Sequence, residues 1–142
     1  MRILAIDYGE NWIGLAISDP LHLTAQPLGS YCFGQEEENK VFFSQLLTKH
    51  GVGLMVVGLP LQMNGLAGNQ ALKVKEFAAW LEKNFSIPVI LWDERLTTKQ
   101  AQSLMREQNV SVAKGKKIEH TIAATLILES YLERKRLDGS DS

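Results

Sequence analysis

The sequence predicts one α/β domain: a mixed central sheet of three antiparallel strands followed by alternating helices and parallel strands, with helices on both faces. Three observations predict it. Two short apolar runs near the start, residues 3–6 and 13–17, flank Gly9-Glu10-Asn11, the signature of a hairpin. Two later runs, 53–58 and 89–92, are apolar without alternation, as strands covered on both faces are. Between and after them, apolar residues recur at helical spacing. Strands that alternate with helices imply parallel pairing, because a crossover is long enough to hold a helix.

Taken in order, the first strand runs into Asp7-Tyr8-Gly9 and the second into Ser18-Asp19-Pro20. A third strand is predicted at 26–31, and Pro27 assigns it to an edge, where a missing N–H breaks no ladder. Residues 36–50 predict an amphipathic helix with Val41, Phe42, Leu46 and Leu47 as its apolar stripe, acids at its front and Gly51 after its end. The 53–58 strand should be central, and the punctuation of Pro60, Asn64, Gly65 and Gly68 predicts a loop at its C-terminal end, where open α/β sheets build sites. A second helix is predicted at about 69–84, with Ala71, Val74, Phe77, Ala78 and Leu81 on one stripe. Pro88 opens the last strand, which ends in Asp93-Glu94-Arg95. Thr97 or Thr98 can cap a third helix to about 108, a basic connection follows at 109–117, and a last helix is predicted from about 118 to 136. Residues 1–138 thus form the domain, and 139–142 should fray as a disordered tail.

Composition narrows the class. The 142 residues, 45% hydrophobic, suit one core, and fifteen Lys plus Arg against sixteen Asp plus Glu give a formal charge of -1. Any nucleic-acid affinity must then come from local patches. Cys32 is the one cysteine, so no intramolecular disulfide can form and a reducing compartment is expected. Asp7 interrupts the opening apolar run before a signal-peptide core could form, and no run reaches spanning length. A soluble, unprocessed cytoplasmic protein without membrane association is the expectation.

Two strands run directly into an acid, Asp7 after the first and Glu94 after the last. If the first and fourth strands are neighbours, these carboxylates can converge at one rim of the sheet and hold divalent cations, which can clamp a phosphodiester during in-line displacement. Equally, Asp7 can serve only to start a turn, and Glu94 only to sit near a helix N-terminus, where an anion is favoured. Spacing alone does not separate these roles.

A family resemblance does. Asp7-Tyr8-Gly9, Ile13-Gly14-Leu15-Ala16-Ile17-Ser18-Asp19, Val57-Gly58-Leu59-Pro60, Met63-Asn64-Gly65, Asp93-Glu94-Arg95-Leu96-Thr97-Thr98 and Ala123-Ala124 with Ile127-Leu128 closely resemble the YqgF (RuvX) family over about residues 1–133. Their joint order is far more specific than any one of them, and the element order also matches the RNase H-like arrangement. The resemblance implies an RNase H-like fold, dependence on Mg²⁺ or Mn²⁺, and hydrolysis of nucleic-acid phosphodiesters by a metal-activated water. It also implies a cytoplasmic role in maturing the 5′ end of the small-subunit ribosomal RNA precursor, while Holliday junction resolution has been assigned to members as well.

One departure matters. The family's Val-Asp-x-x-Ala-Ala pattern places a third acid on the last helix, but here the segment is Glu119-His120-Thr121-Ile122-Ala123-Ala124. His120 shares a helix face with Ala123 and Ala124, whose small size can let the helix approach the sheet, so His120 is the third candidate catalytic residue and metal ligand beside Asp7 and Glu94. Imidazole suits Mn²⁺ better than Mg²⁺, which tilts the expected cofactor toward manganese. Glu119 is a rival ligand one residue out of register, and a helix-face histidine that merely satisfies a hydrogen bond would leave activity weak or absent. Arg95, Lys114, Lys116 and Lys117 are candidate phosphate contacts, although Arg95 could instead hold Asp93 and the lysines could simply be solvated. Trp12, beside the first turn, could stack a base, whereas Trp80 and Trp92 lie in regular elements where core packing is usual.

Competing functions are fewer. Asp-x-Gly in an opening hairpin resembles the phosphate turn of sugar kinases and actin-like ATPases, but those need two lobes. A non-catalytic RNA-binding protein of the same fold is separated from a nuclease by metal-dependent cleavage. Branched-DNA resolution, unlike rRNA precursor processing, needs a two-fold dimer, so monomer against homodimer discriminates within nucleases.

Overall fold

The computed structural model describes residues 1–60, 68–94 and 112–138, with 112–117 described as helix backbone only. β1 (Arg2–Tyr8) and β2 (Trp12–Ser18) form the expected hairpin, and the Gly9 N–H closes its turn by donating to the Trp12 carbonyl at 3.0 Å. β3 (Ala25–Cys32) pairs antiparallel with β2, and β4 (Val52–Leu59) and β5 (Val89–Asp93) extend the other side in parallel. The sheet order is β3-β2-β1-β4-β5. Pro27 therefore lies on an edge strand, beside a register shift at Leu15/Ala16. The mixed α/β architecture is the one the sequence predicts.

Helices α1 (Glu36–His50) and α2 (Asn69–Asn84) cover one face, and α3 (Val112–Leu137) crosses the other. Strand parity makes two cores. Leu4, Ile6, Met55 and Val57 meet Phe43, Leu47, Val74 and Leu81 under α1 and α2. Ile3, Ala5, Ala16 and Val56 meet Ala124, Ile127, Leu128 and Leu132 under α3. Because successive side chains alternate between faces, the interior strands are apolar throughout, which is why their sequences lack alternation.

The five residues predicted to line α2 are its buried ones. On α1 three of the four predicted residues pack inward, Leu47 buried and Phe42 and Leu46 half-buried against the core, while Val41 is 54% exposed and Phe43 is buried instead. Phe42 stacks on Tyr31 of the edge strand at 3.7 Å, and Phe43 beside it is fully buried. α1 ends where Gly51 takes a left-handed conformation (φ 61°) and its N–H reaches the carbonyls of Leu47 and Thr48. α3 starts six residues earlier than expected, at Val112. Lys114, Lys116 and Lys117 thus sit on its first turns rather than on a loop; lysine is a good helix former, and one interior glycine, Gly115, costs only about 1 kcal/mol. The expected helix at 97–108 and most of the loop after β4 lie outside the described residues. No helix among the described residues is long and apolar enough to cross a membrane.

Candidate active site

The alternation that buries Ile3 and Ala5 beneath α3 carries two residues further to Asp7, which faces α3 and is 7% exposed. Its partner across the hairpin is Gly14. A Cβ on Gly14 would lie 1.9 Å from the His120 carbonyl oxygen and 2.0 Å from its carbonyl carbon, so only glycine lets the α3 main chain lie against β2 here. That approach is what brings a residue 113 positions away onto Asp7: His120 Nδ1 is 2.6 Å from Asp7 Oδ2. Gly9 repeats the device, since its Cβ would meet His120 Nε2 at 2.5 Å. Gly58, on β4, clears space for Glu94 and Ile127, at 2.8 Å from Glu94 Cγ and 2.5 Å from Ile127 Cδ1. Glu94 hydrogen-bonds Asp7 through its side chain. Asp7, Glu94 and His120 therefore form one hydrogen-bonded group.

Two carboxyl groups so close cannot both ionise freely. Burial raises the Asp7 carboxyl to about 6, opposed by its hydrogen bond with Glu94 and reinforced by the charge of Glu119. Burial likewise drives Glu94 well above the carboxylate range, and here the hydrogen bond and the charge of Asp7 act in the same direction. The two carboxyls accordingly titrate as a pair and share a proton across their hydrogen bond. With Asp7 ionised, the Nδ1–H of His120 donates to it, which fixes the ring.

The group opens into a cleft of about 550 Å³ walled by Gly9, Trp12, Pro60, Gln70, Glu119 and Ala123 among others. Trp12 is thus one of the residues that line the cleft. Glu119, the out-of-register rival, is exposed in the same cleft. Gln70, at the start of α2, carried no signal in the sequence; its place follows only from the helix packing against the rim. Trp92 packs as expected, with its Nε1–H donating to Ser130 Oγ at 3.1 Å and its ring 5.4 Å from Tyr131. Arg95 lies outside the described residues, and the side chains of Lys114, Lys116 and Lys117 do as well.

Two carboxylates and an imidazole are the hard and borderline donors that Mg²⁺ and Mn²⁺ take. Among the described residues no group of three His, Cys, Asp or Glu side chains is set to hold an ion directly. Both carboxyls, raised first by desolvation and in Glu94 also by the charge of Asp7, are nevertheless what a divalent cation would relieve, so the donor set fits such an ion.

A five-stranded mixed sheet with an acidic pair at the rim shared by β1 and β5 defines an RNase H-like protein. Its fold matches T. thermophilus RuvC in complex with a Holliday junction substrate (TM-score 0.52, 15% identity, 99% of this chain and 98% of that one). It also matches the Fowlpox virus resolvase in complex with Holliday junction DNA (TM-score 0.57, 16% identity, 94% and 98%). The model of the RuvX family, described as Holliday junction resolvase, matches residues 1–134. Relatives named "Putative pre-16S rRNA nuclease" include those of Koribacter versatilis (40% identical, 99% of this chain and 92% of the relative) and Clostridium acetobutylicum (44%, 93% and 98%). The chain belongs to the RuvX family, a family of nucleases.

Proposed function

We propose that this chain is a metal-dependent nuclease that hydrolyses nucleic-acid phosphodiesters at the Asp7–Glu94–His120 group, with the 5′ end of pre-16S rRNA as its substrate in the cytoplasm. The observation that carries it is the convergence of three sequence-distant polar side chains, the buried carboxyl of Asp7 and the half-buried one of Glu94 among them, in a cleft large enough for a backbone phosphate. Asp7 and Glu94 would hold the ion, with His120 in the third position, and manganese is favoured over magnesium because an imidazole stands where a carboxylate would serve magnesium better. A divalent cation there supplies charge for the phosphate oxygens and a water acidic enough to attack. Asp7 fixes the His120 ring, and Glu94, by holding or releasing its proton, sets the charge of the site. Lys114, Lys116, Lys117 and Arg95 would contact phosphates of the bound strand. The relatives' name supports the rRNA substrate; the family's description supports a branched DNA junction, for which a two-fold homodimer would be required.

The test is cleavage of three end-labelled substrates, a pre-16S leader fragment, an unstructured RNA and a four-way DNA junction, with Mg²⁺, Mn²⁺ or chelator, beside Asp7→Asn. The expected result is cutting of the leader fragment that needs metal, is fastest with Mn²⁺ and disappears in Asp7→Asn. Junction cutting by a dimer, with the leader left intact, would replace the rRNA assignment. Binding without cutting of any substrate would overturn the nuclease assignment.

A further inference from the structure

Behind the catalytic cleft, and sharing Tyr8 and Glu10 with it, lies a second hollow of about 420 Å³ between α2 and the start of α1. Its floor is aromatic. Tyr8 lies 4.7 Å from Phe77, and Phe77, itself buried, is near-parallel to Trp80 at 6.2 Å, so the three rings make a contiguous aromatic wall along the hollow. Its rim is acidic: Glu10, Glu36 and Glu76 surround it, against the single cation Lys73 among the described lining residues. Lys73 is engaged with Glu10 at 3.6 Å, which leaves Glu36 and Glu76 as excess negative charge. Glu36 is tied to the rings, because its Oε1 accepts the Trp80 Nε1–H at 3.3 Å.

The nuclease reading makes no use of this hollow. Phosphates are repelled by its rim, so a nucleic-acid strand leaving the catalytic cleft is a poor occupant. Aromatic faces edged by carboxylates instead suit a flat cation: the rings attract it through their quadrupoles, and the carboxylates accept its N–H groups. We propose that the Tyr8–Phe77–Trp80 hollow is a docking site for an arginine side chain presented by a partner protein, stacked on the rings and held by Glu36 and Glu76. Lysine fits less well, since an ammonium cannot stack and donates from a point rather than a fork.

The test needs no nuclease activity, so it succeeds or fails independently of the assignment above. The Trp80 indole N–H of the full chain, assigned with Trp80→Phe, is followed by NMR during titration with capped tetra-arginine, capped tetralysine or hexauridylate. Tetra-arginine is expected to move it saturably, with tetralysine at least threefold weaker and hexauridylate without effect. Glu36→Gln/Glu76→Gln, two exposed isosteric changes, should weaken tetra-arginine at least tenfold while leaving the other indole signals in place. An unmoved Trp80 signal, equal affinity for tetralysine, unchanged affinity in the double variant, or a response to hexauridylate would each overturn the proposal.

Discussion

Gly14→Ala isolates the contact on which the site depends. The added methyl would stand 1.9 Å from the His120 carbonyl oxygen, 2.0 Å from its carbonyl carbon and 2.5 Å from the Thr121 nitrogen, all main-chain atoms of a helix that cannot rotate away as a side chain could. To restore contact at about 3.5 Å, α3 must retreat by roughly 1.5 Å, and a gap of even 1 Å forfeits a quarter to a half of each dispersion contact it opens. Ala124, Ile127 and Leu128, each 0% exposed, lie on the retreating face. Losing that share of their packing, together with the strain of overpacking, gives a destabilisation of roughly 3 kcal/mol. With a urea slope of about 1.5 kcal/mol/M, the midpoint should fall by about 2 M. Circular dichroism at 222 nm measures it, and cleavage should fall at least tenfold even in the absence of urea because His120 is carried off Asp7. A midpoint within about 0.3 M of the parent would refute the close approach of α3 to the hairpin, and with it the seating of His120.

Three further outcomes follow from the same geometry. Gly51→Ala tests backbone conformation alone, for no atom lies within 4 Å of the added methyl while φ is 61°; a loss of about 1 kcal/mol in urea unfolding is expected, with cleavage unchanged. The carboxyl pair makes metal-free stability depend on pH with a definite sign. Groups raised in the fold contribute most below their ordinary values of 3.8 and 4.5, and that contribution is lost as pH rises through about 6 for Asp7 and further toward alkaline pH for Glu94. Urea midpoints of Glu94→Gln should therefore gain on the parent as pH rises, and millimolar Mn²⁺ should restore the parent but not the variant; parallel pH profiles would show that the two carboxyls are not coupled. His120→Asp returns a third carboxylate to the rim, so the ratio of Mn²⁺-supported to Mg²⁺-supported cleavage should drop severalfold, and an unaltered ratio would remove His120 from the ion's surroundings.

Most of the architecture was legible because it is written locally. Pro27 marks an edge strand, unbroken apolar runs mark strands covered on both faces, and the stripe from Ala71 to Leu81 marks the buried side of α2. Asp7 and Glu94 were legible too, as acids that end apolar strands, and the family motifs singled out His120 as a substitution for an acid. Where local signals compete, they misled. Val41 looked like part of an inner stripe, but it is exposed and Phe43 takes the buried place. The lysines near residue 115 looked like a loop because charge and glycine are common there, yet nothing in them prevents a helix.

The sequence by itself determined the strand and helix order, the parity that puts Asp7 on the same face as Ile3 and Ala5, and the chemistry available at the rim. Only tertiary structure decided which distant residues meet. That Gly9, Gly14 and Gly58 are the clearances for His120, the α3 main chain and Glu94, and that Trp80, packed against the core as expected, also lines an acid-edged hollow, depends on contacts between elements far apart in the chain. Periodicity fixes the face on which a side chain stands, whereas its partner is set by how closely two elements can pack, and at β2 that distance is set by the absence of one methyl group at Gly14.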